Sequence, residues 1–483
     1  MGSDDDVVVD RELATLEDAA TGSRAWLEPA ELRRKGRNRR LRRRGGVVGA
    51  ALVVVALVAT ILVPIGFGGR GNPNGDLRVA ARSGPAIQLV SANGPAGPGT
   101  SGTSSGAVAR SEQQFSLSLL KQLSASSSGS SNIVVSPLSL ATALAMLELG
   151  AKGSTETQIA HALGTSSLTA EQQAAGWSAL SAELAAAGTS AGIALESANS
   201  LWLQKGLAMD PAFMTDLSRY FASGVWQVDF ASDPAAAVTA LNAWVARETR
   251  GHITSLFAPG AITKQTALVL VNAVYFKAAW EKPFAAATAD DTFHLPRGTT
   301  SSVPFMHTPA GGPLDVPVST ASGLDVVQLP YAGGRMAALV IMPTAESLST
   351  LTGSLTATGL DRIVSNMKPT SLDLTMPTLS LSDSHELIPT LQNLGMRDAF
   401  AGNADLSGMS PAPFVVTDVV QKATLDVTPW GTEATAATGI GVAESARPAS
   451  IALTIDHPFL FLVRDTHTGA VLFEAMVNSP GAE

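Results

Sequence analysis

Apolar side chains between residues 111 and 251 recur with a helical period. The segment 111–125 predicts an amphipathic helix through its apolar positions, which are Phe115, Leu117, Leu119, Leu120 and Leu123. Further on, Ser136 followed by Pro137 is typical of a helix start, and Gly251 is typical of a helix end. We therefore predict that the first half of this region is mainly helical.

The pattern changes to that of β-strands from residue 266 onward. The run 266–280 is almost continuously apolar and rich in β-branched and aromatic residues, which predicts a strand buried on both faces. Further strands are predicted at 324–331, 336–343, 371–381, 414–427, 450–455 and 459–465. Helices followed by a concentration of strands favour an α+β domain over alternating βαβ units.

An uninterrupted apolar stretch near the N-terminus predicts a membrane span. No charged residue lies between Val47 and Phe67, and about 21 residues at about 1.5 Å each give roughly 31 Å, enough to cross a bilayer as a helix. The alternative is a buried soluble helix, which is rarely apolar all round. The basic run 33–44 fits the cytoplasmic flank of such a span. We expect a retained single-pass protein with a cytoplasmic basic tail (1–44), a transmembrane helix (45–68) and an extracellular remainder.

The residues after the span divide into a linker and a folded domain. Residues 69–107 are rich in Gly, Pro and Ser and predict a flexible linker, and residues 108–483 predict the folded domain. The linker contains Gly102-Thr103-Ser104-Ser105-Gly106, which matches the hydrolase pattern G-x-S-x-G. That pattern needs a strand before it and a helix after it, so we interpret this match as coincidence.

Composition argues against several classes of function. The chain has no cysteine, which excludes disulfides and thiolate zinc sites, and its net charge of -9 argues against nucleic-acid binding. The seven histidines are scattered without ligand spacing, and Asp290-Asp291 is typical of solvated loop charge. We therefore expect no metal, no cofactor and no enzymatic activity.

Seven segments together resemble the signatures of the serpin family, and they occur in serpin order. The similarity covers essentially all of residues 108–483. The resemblance implies a large central mixed β-sheet with additional sheets, about eight or nine helices and an exposed reactive-centre loop. The segments are 132–159, 241–257, 268–284, 326–343, 394–409, 419–438 and 456–473.

The resemblance also implies a function, which is suicide inhibition of serine proteases by a monomer. A protease cleaves the loop and forms a covalent acyl-enzyme, and the loop then inserts into the central sheet as a new strand. Serpin loop insertion is itself a known example of strand addition. A non-inhibitory serpin that acts as a binding or scaffold module at the cell surface is the alternative.

The small residues that follow Trp430 resemble the hinge of the reactive-centre loop. Small side chains suit a segment that must enter a closed sheet, because a packed sheet has no room for bulky ones. With a period of two, Thr432, Ala434, Ala436 and Thr438 are expected to face the packed side of the sheet, and Glu433 is expected to face solvent. The hinge comprises Gly431, Thr432, Glu433, Ala434, Thr435, Ala436, Ala437 and Thr438.

The family's usual spacing from the hinge places the reactive bond at Ser445–Ala446. Glu444–Ser445 is the alternative, because the segment before the next motif is slightly longer than usual. Arg447 would suit a trypsin-like protease, but Pro448 makes its bond a poor substrate. A small residue at the cleavage position favours elastase-like or subtilisin-like targets.

Five residues outside the loop resemble those that control the opening of the sheet. Four form an expected polar cluster below the point of opening: Ser136, Ser139, Asn272 and Gln421. Trp280 matches a tryptophan near the point where the loop enters. Gln421 stands where the family commonly has histidine, which makes weakening by protonation less expected. Pro429 and Trp430 replace the usual acidic pair, and we expect this change to slow the first step of insertion.

Overall fold

A computed structural model of the chain describes residues 78–81, 87–91, 105–127, 129–191, 193–221, 223, 225–287, 289–309, 312–432 and 450–481. In these ranges, helices pack on two β-sheets, which confirms the α+β class. The predicted cytoplasmic tail (1–44) and transmembrane helix (45–68) lie outside these ranges. Of the helices that are described, none has the length and apolarity needed to span a bilayer.

Capping signals in the sequence fix the ends of several helices. Pro137 begins its helix, as predicted, because proline suits the first helical position. Asp233 caps another helix by accepting from the Ala236 amide at 2.9 Å, and Gly251 follows the end of that helix with a φ of 85°. The described helices are α1 (Ser105–Ser126), α2 (Pro137–Glu148), α3 (Gly153–Ala162), α4 (Ala170–Ala191), α5 (Pro211–Phe221), α6 (Pro234–Glu248), α7 (Leu348–Ser354), α8 (Ala357–Asn366) and α9 (Ile388–Asn393).

The first sheet has eight described strands and mixes parallel with antiparallel pairs. Their order across the sheet is β1-β2-β5-β4-β6-β15-β14-β13, and β6 also pairs directly with β14. The strands are β1 (Arg78–Ala81), β2 (Ile87–Ser91), β4 (Ala194–Gln204), β5 (Val225–Val228), β6 (Leu268–Ala279), β13 (Leu379–Glu386), β14 (Val416–Thr428) and β15 (Gly431–Thr432).

Strand β6 is apolar along its length because both faces of the sheet are covered. Val269 and Val271 pack into an apolar cluster with Trp244 of α6, whereas Leu268 and Leu270 face the main core on the other side. Ten of its twelve residues are buried. The prediction of a strand buried on both faces at 266–280 is thus confirmed.

The second sheet has ten described strands in the order β3-β18-β17-β11-β10-β9-β12-β8-β7, with β16 paired to β12. Strands β10 and β11 follow the predicted apolar runs closely and form an antiparallel pair. The strands are β3 (Ile133–Val135), β7 (Asp290–His294), β8 (Thr300–His307), β9 (Leu314–Ser319), β10 (Leu324–Pro330), β11 (Met336–Pro343), β12 (Lys368–Pro377), β16 (Ile451–Thr454), β17 (Phe459–Asp465) and β18 (Val471–Val477).

The predicted flexible linker, residues 69–107, contains regular structure. Strands β1 and β2 pair with each other, and β2 also pairs antiparallel with β5. At the end of the same region, α1 begins at Ser105, whose hydroxyl donates to Glu183 at 2.6 Å. Parts of this stretch therefore form strands and the start of a helix, and its role as a linker stays a prediction. Strands of four and five residues show little periodicity, and only the fold supplies their partner strand.

Ser136 occupies the cap position of α2, but its side chain does not cap the helix. Its hydroxyl donates instead to the carbonyl of Leu472 on β18, at 2.6 Å. Ser136 therefore joins the helix to the second sheet, which the cap signal in the sequence did not indicate.

Candidate functional site

At one end of the first sheet β6 and β14 move apart, and the short strand β15 lies between them. Lower in the sheet, β6 and β14 pair directly and in parallel, up to Tyr275 and Thr424. Above that level β15 separates them. Thr432 pairs with Ala278 on one side and Val427 on the other, both antiparallel. We call the gap between Ala278–Ala279 and Val427–Thr428 the insertion slot.

Thr432 is fully buried in the insertion slot, and its hydroxyl has a partner there. Its Oγ1 lies 2.7 Å from the hydroxyl oxygen of Tyr331, which is also fully buried. Because buried polar groups need hydrogen bonds, this pair satisfies both hydroxyls where solvent does not reach. The side chain of Thr432 therefore faces the packed side of the sheet, as predicted from the period of two.

Gly431 leads the chain into the slot, and its backbone leaves no room for a side chain. Its φ is 149°, and a Cβ there would lie 2.1 Å from the carbonyl oxygen of Ala278 and 2.7 Å from Cα of Ala279. Both contacts are with backbone that cannot rotate away. Only glycine fits where the chain turns in between the strands.

The turn from Thr428 to Gly431 is held by the segment after β6. The Trp280 amide donates to the Trp430 carbonyl at 3.0 Å, and the Phe284 amide donates to the Pro429 carbonyl at 2.7 Å. The indole N–H of Trp280 donates to the Thr428 carbonyl at 2.9 Å. These three bonds use only carbonyls of the turn, so the Pro429-Trp430 sequence is compatible with them. Thr432, which follows this turn, is paired between β6 and β14 in this structure. The expectation that Pro429 and Trp430 slow insertion stays a prediction.

Comparisons with known proteins agree with this architecture. The family model described as "Serpin (serine protease inhibitor)" matches residues 110–480. The chain belongs to the serpin family. The coarse fold implied by the resemblance is thereby confirmed.

Individual relatives cover most of this serpin. It is 33% identical to Serpin A9 of Mus musculus over 378 residues, which is 77% of this chain and 88% of that protein. It is 34% identical to the leukocyte elastase inhibitor of Bos taurus over 371 residues, which is 72% of this chain and 93% of that protein. Among solved structures, the thermophilic serpin tengpin in the native state matches with a TM-score of 0.69 at 25% identity, covering 77% of this chain and 94% of that one.

The predicted polar cluster comes together below the insertion slot. Gln421 of β14 stands opposite Asn272 of β6, and its amide donates to the Asn272 side-chain oxygen. Gln421 also bonds both backbone groups of Ser136, accepting from the amide and donating to the carbonyl, each at 2.9 Å. Opening the sheet between β6 and β14 would break the Gln421–Asn272 bond. The cluster therefore bridges the boundary between β6 and β14 below the insertion slot.

The fourth member of the polar cluster meets Asn272 from α2. The Asn272 amide donates to the Ser139 hydroxyl at 2.6 Å and also to the side-chain oxygen of Asn199 on β4. Ser139 in turn donates to Asn199 at 2.7 Å. Asn199 was not predicted, because an isolated Asn in a polar stretch carries no signal until β4 is placed beside β6.

Tyr331 is the other residue that sequence reasoning missed. It ends the predicted strand 324–331, and a tyrosine at a strand end is usually only an apolar anchor. Its contact with Thr432 joins residues 101 positions apart, so no local pattern reveals it.

Most of the predicted loop lies outside the described residues. This applies to the hinge positions Glu433, Ala434, Thr435, Ala436, Ala437 and Thr438, and to Glu444, Ser445 and Ala446 at the reactive bond. The structure describes two of the predicted hinge residues, Gly431 and Thr432, and both lie in the slot.

Replacing Gln421 with histidine should make stability depend on pH. A histidine buried in the polar cluster would have its pKa lowered by desolvation, whereas in the unfolded chain it titrates near about 6.5. Above that pH the stability of the variant should not depend on the charge of this histidine. Below it the stability should fall as the pH drops, because only the unfolded chain takes up the proton. We expect the Tm difference from the parent to grow by about 2 °C between pH 7.5 and pH 5.5.

Gln265→His is the matched control, because Gln265 is exposed. Differential scanning fluorimetry across that pH range makes the measurement. A pH-independent difference for Gln421→His would contradict the burial of this position.

Proposed function

We propose that this serpin inhibits serine proteases as a suicide substrate. The protease serine attacks the carbonyl of Ser445, the amine of Ala446 leaves, and an acyl-enzyme forms. The loop then enters the insertion slot as a new strand and carries the protease with it. Inhibition requires that insertion be faster than hydrolysis of the acyl bond.

One observation carries this proposal, which is the pairing of Thr432 between β6 and β14. This hinge residue thus occupies the position of a new strand while β6 and β14 remain paired below it. The residues that follow are small, so each additional pair needs little new space. Both features favour insertion of the loop once it is cut.

The sequence of the loop favours elastase-like or subtilisin-like targets. Ser445 is a small residue, and Glu444–Ser445 is the alternative bond. A relative at 34% identity is named leukocyte elastase inhibitor, which agrees with a small residue at the cleavage position.

A non-inhibitory binding role is the second candidate. Pro429 and Trp430 stand in place of the acidic pair typical of the family, and they favour this alternative. A structure of thyroxine-binding globulin in complex with thyroxine matches this chain with a TM-score of 0.68 at 25% identity, which supports a serpin fold used for binding. The two candidates make opposite predictions for the fate of a protease that cuts the loop.

Incubation of the purified chain with elastase-like, subtilisin-like and trypsin-like proteases tests the proposal. We expect a complex that survives denaturing electrophoresis with one of the first two classes, and a released C-terminal fragment that begins at Ala446. A protease whose active-site serine has been blocked should give no complex. Cleavage of the loop without any complex would overturn inhibition and favour the binding role. A fragment that begins at Ser445 would move the bond by one residue.

We also propose that the inhibitor is a monomer tethered outside the membrane. The apolar stretch 45–68 and the basic run 33–44 support this location. Fractionation of expressing cells, followed by protease treatment of intact cells, checks it. A chain recovered entirely in the soluble fraction, with its first residues removed, would contradict it.

A further inference from the structure

The phenol of Tyr331 meets the loop inside the insertion slot. Its oxygen lies 2.7 Å from Oγ1 of Thr432, and neither side chain is exposed. Burial raises the pKa of the Tyr331 phenol well above its usual range, so the hydroxyl keeps its proton under ordinary conditions. The bond between the two hydroxyls is therefore insensitive to pH.

The ring of Tyr331 is packed between two other aromatic side chains. It stacks on Trp280 with ring centroids 4.5 Å apart and planes 6° apart, and Phe276 packs edge-on at 5.3 Å. Trp280 is itself held by its indole bond to the Thr428 carbonyl. The hydroxyl consequently points into the slot from a rigid aromatic stack and loses little freedom when it bonds Thr432.

A loop that enters a sheet must form its first pair before the later ones become favourable. Closing the loop against the strands costs chain entropy, and that cost is met before further hydrogen bonds are gained. In this protein the first pair exists already, since Thr432 is in register with both Ala278 and Val427. The contacts that hold Thr432 in the slot therefore determine the fraction of molecules in which insertion starts from a pair that is already formed.

We propose that Tyr331 is a positioning residue for loop insertion, because its hydroxyl holds Thr432 in register between β6 and β14. This inference rests on the proposed inhibitory function. Without the hydroxyl, Thr432 leaves the slot for part of the time, and insertion must begin again from an unpaired hinge. A larger share of the acyl-enzyme is then hydrolysed before insertion is complete. The rate of the first cleavage stays unchanged, because the residues at the reactive bond are the same.

Four variants of the full chain test the inference. Tyr331→Phe and Thr432→Val each remove one hydroxyl of the pair, and the double variant removes both. Tyr220→Phe is the matched control, because it removes a tyrosine hydroxyl on α5 that bonds Glu171 at 2.9 Å and does not line the slot. Hydrogen exchange of the peptide spanning 425–432 reports on the hinge in the free protein. The number of inhibitor molecules consumed per protease inactivated reports on insertion.

We expect each single variant to accelerate exchange in that peptide by about threefold to tenfold, the range of one neutral hydrogen bond. We expect inhibitor consumption per inactivated protease to rise by about twofold to fivefold, with no change in the rate of the first cut. In both measurements the effect of the double variant should not exceed the larger of the two single effects, because two apolar groups leave no buried hydroxyl unpaired.

Two results would overturn the inference. One is that Tyr331→Phe exchanges no faster than Tyr220→Phe in the 425–432 peptide. The other is that the two single effects multiply in the double variant, which would mean that the hydroxyls act separately. If the parent chain traps no protease, the proposed inhibitory function fails, and the exchange measurement still decides whether Tyr331 holds the hinge.

Discussion

Replacing Thr432 with arginine should abolish the covalent complex with a protease while leaving the loop cleavable. Thr432 is fully buried against Tyr331, and a guanidinium placed there would lose its hydration beside an uncharged phenol. Such burial costs at least several kcal/mol, which is enough to keep the hinge out of the slot. Without the first pair, the acyl-enzyme is hydrolysed faster than the loop inserts, and the protease cleaves the protein as an ordinary substrate.

Electrophoresis and titration of residual protease activity make this measurement. We expect complex formation to fall below detection for Thr432→Arg, with the cleaved chain as the product. Thr300→Arg is the matched control, because Thr300 is an exposed strand residue on β8 and should keep full inhibition. An undiminished complex with Thr432→Arg would contradict the proposal that the loop inserts through this slot.

Replacing Glu474 with glutamine should stabilise the protein at alkaline pH and leave it unchanged at acid pH. Glu474 of β18 is fully buried, and the Ser116 hydroxyl donates to it at 2.8 Å. Burial raises the pKa of this carboxyl from 4.5 to about 8. Burial also raises the pKa of Glu112 of α1 well above its usual range, and the neighbouring carboxyl of Glu474 raises it further.

The direction of this pH effect on stability depends on whether the folded or the unfolded chain holds the proton on Glu474. Below about pH 4.5 both the folded and the unfolded chain are protonated at Glu474, and no stability depends on it. Between about 4.5 and 8 only the folded chain keeps the proton, so stability falls by up to about 1.4 kcal/mol per pH unit. Glutamine keeps an acceptor for Ser116 and removes the ionisation.

We expect the Tm of Glu474→Gln to exceed that of the parent by about 5 °C at pH 8 and by about 1 °C at pH 5. Thermal unfolding monitored by circular dichroism at both pH values gives the two differences. Glu346→Gln is the control, because Glu346 is exposed and a surface substitution should change stability by less than about 0.5 kcal/mol. A Tm difference equal at both pH values would contradict the burial of an ionisable group.

The strands that were predicted best are those whose burial is visible in composition. Strand β6 is apolar throughout because both faces are covered, and its limits fall within the predicted run. Strand β4, by contrast, lies in the region predicted to be helical. Its sequence ALESANSLWLQ mixes small and polar residues, and only its pairing with β6 and β5 makes it a strand.

Some residues of the candidate site could be identified from the sequence, and others only from the fold. The motif resemblance identified the polar cluster and Trp280, and the period of two in the hinge predicted a buried face for Thr432. The partners of those residues, Asn199 and Tyr331, come from distant parts of the chain and carry no local pattern of their own.

The sequence by itself determined the α+β class and the family, and it predicted which segment is the hinge. Each of these depends on periodicity, on side-chain size or on ordered motifs, which are properties of consecutive residues. Only the tertiary structure decided that Gly431 and Thr432 already lie between β6 and β14, that Tyr331 meets Thr432 there, and that Gln421 crosses the same boundary below. These facts depend on which strands become neighbours, and that is set by burial of the whole core rather than by any one stretch of the chain.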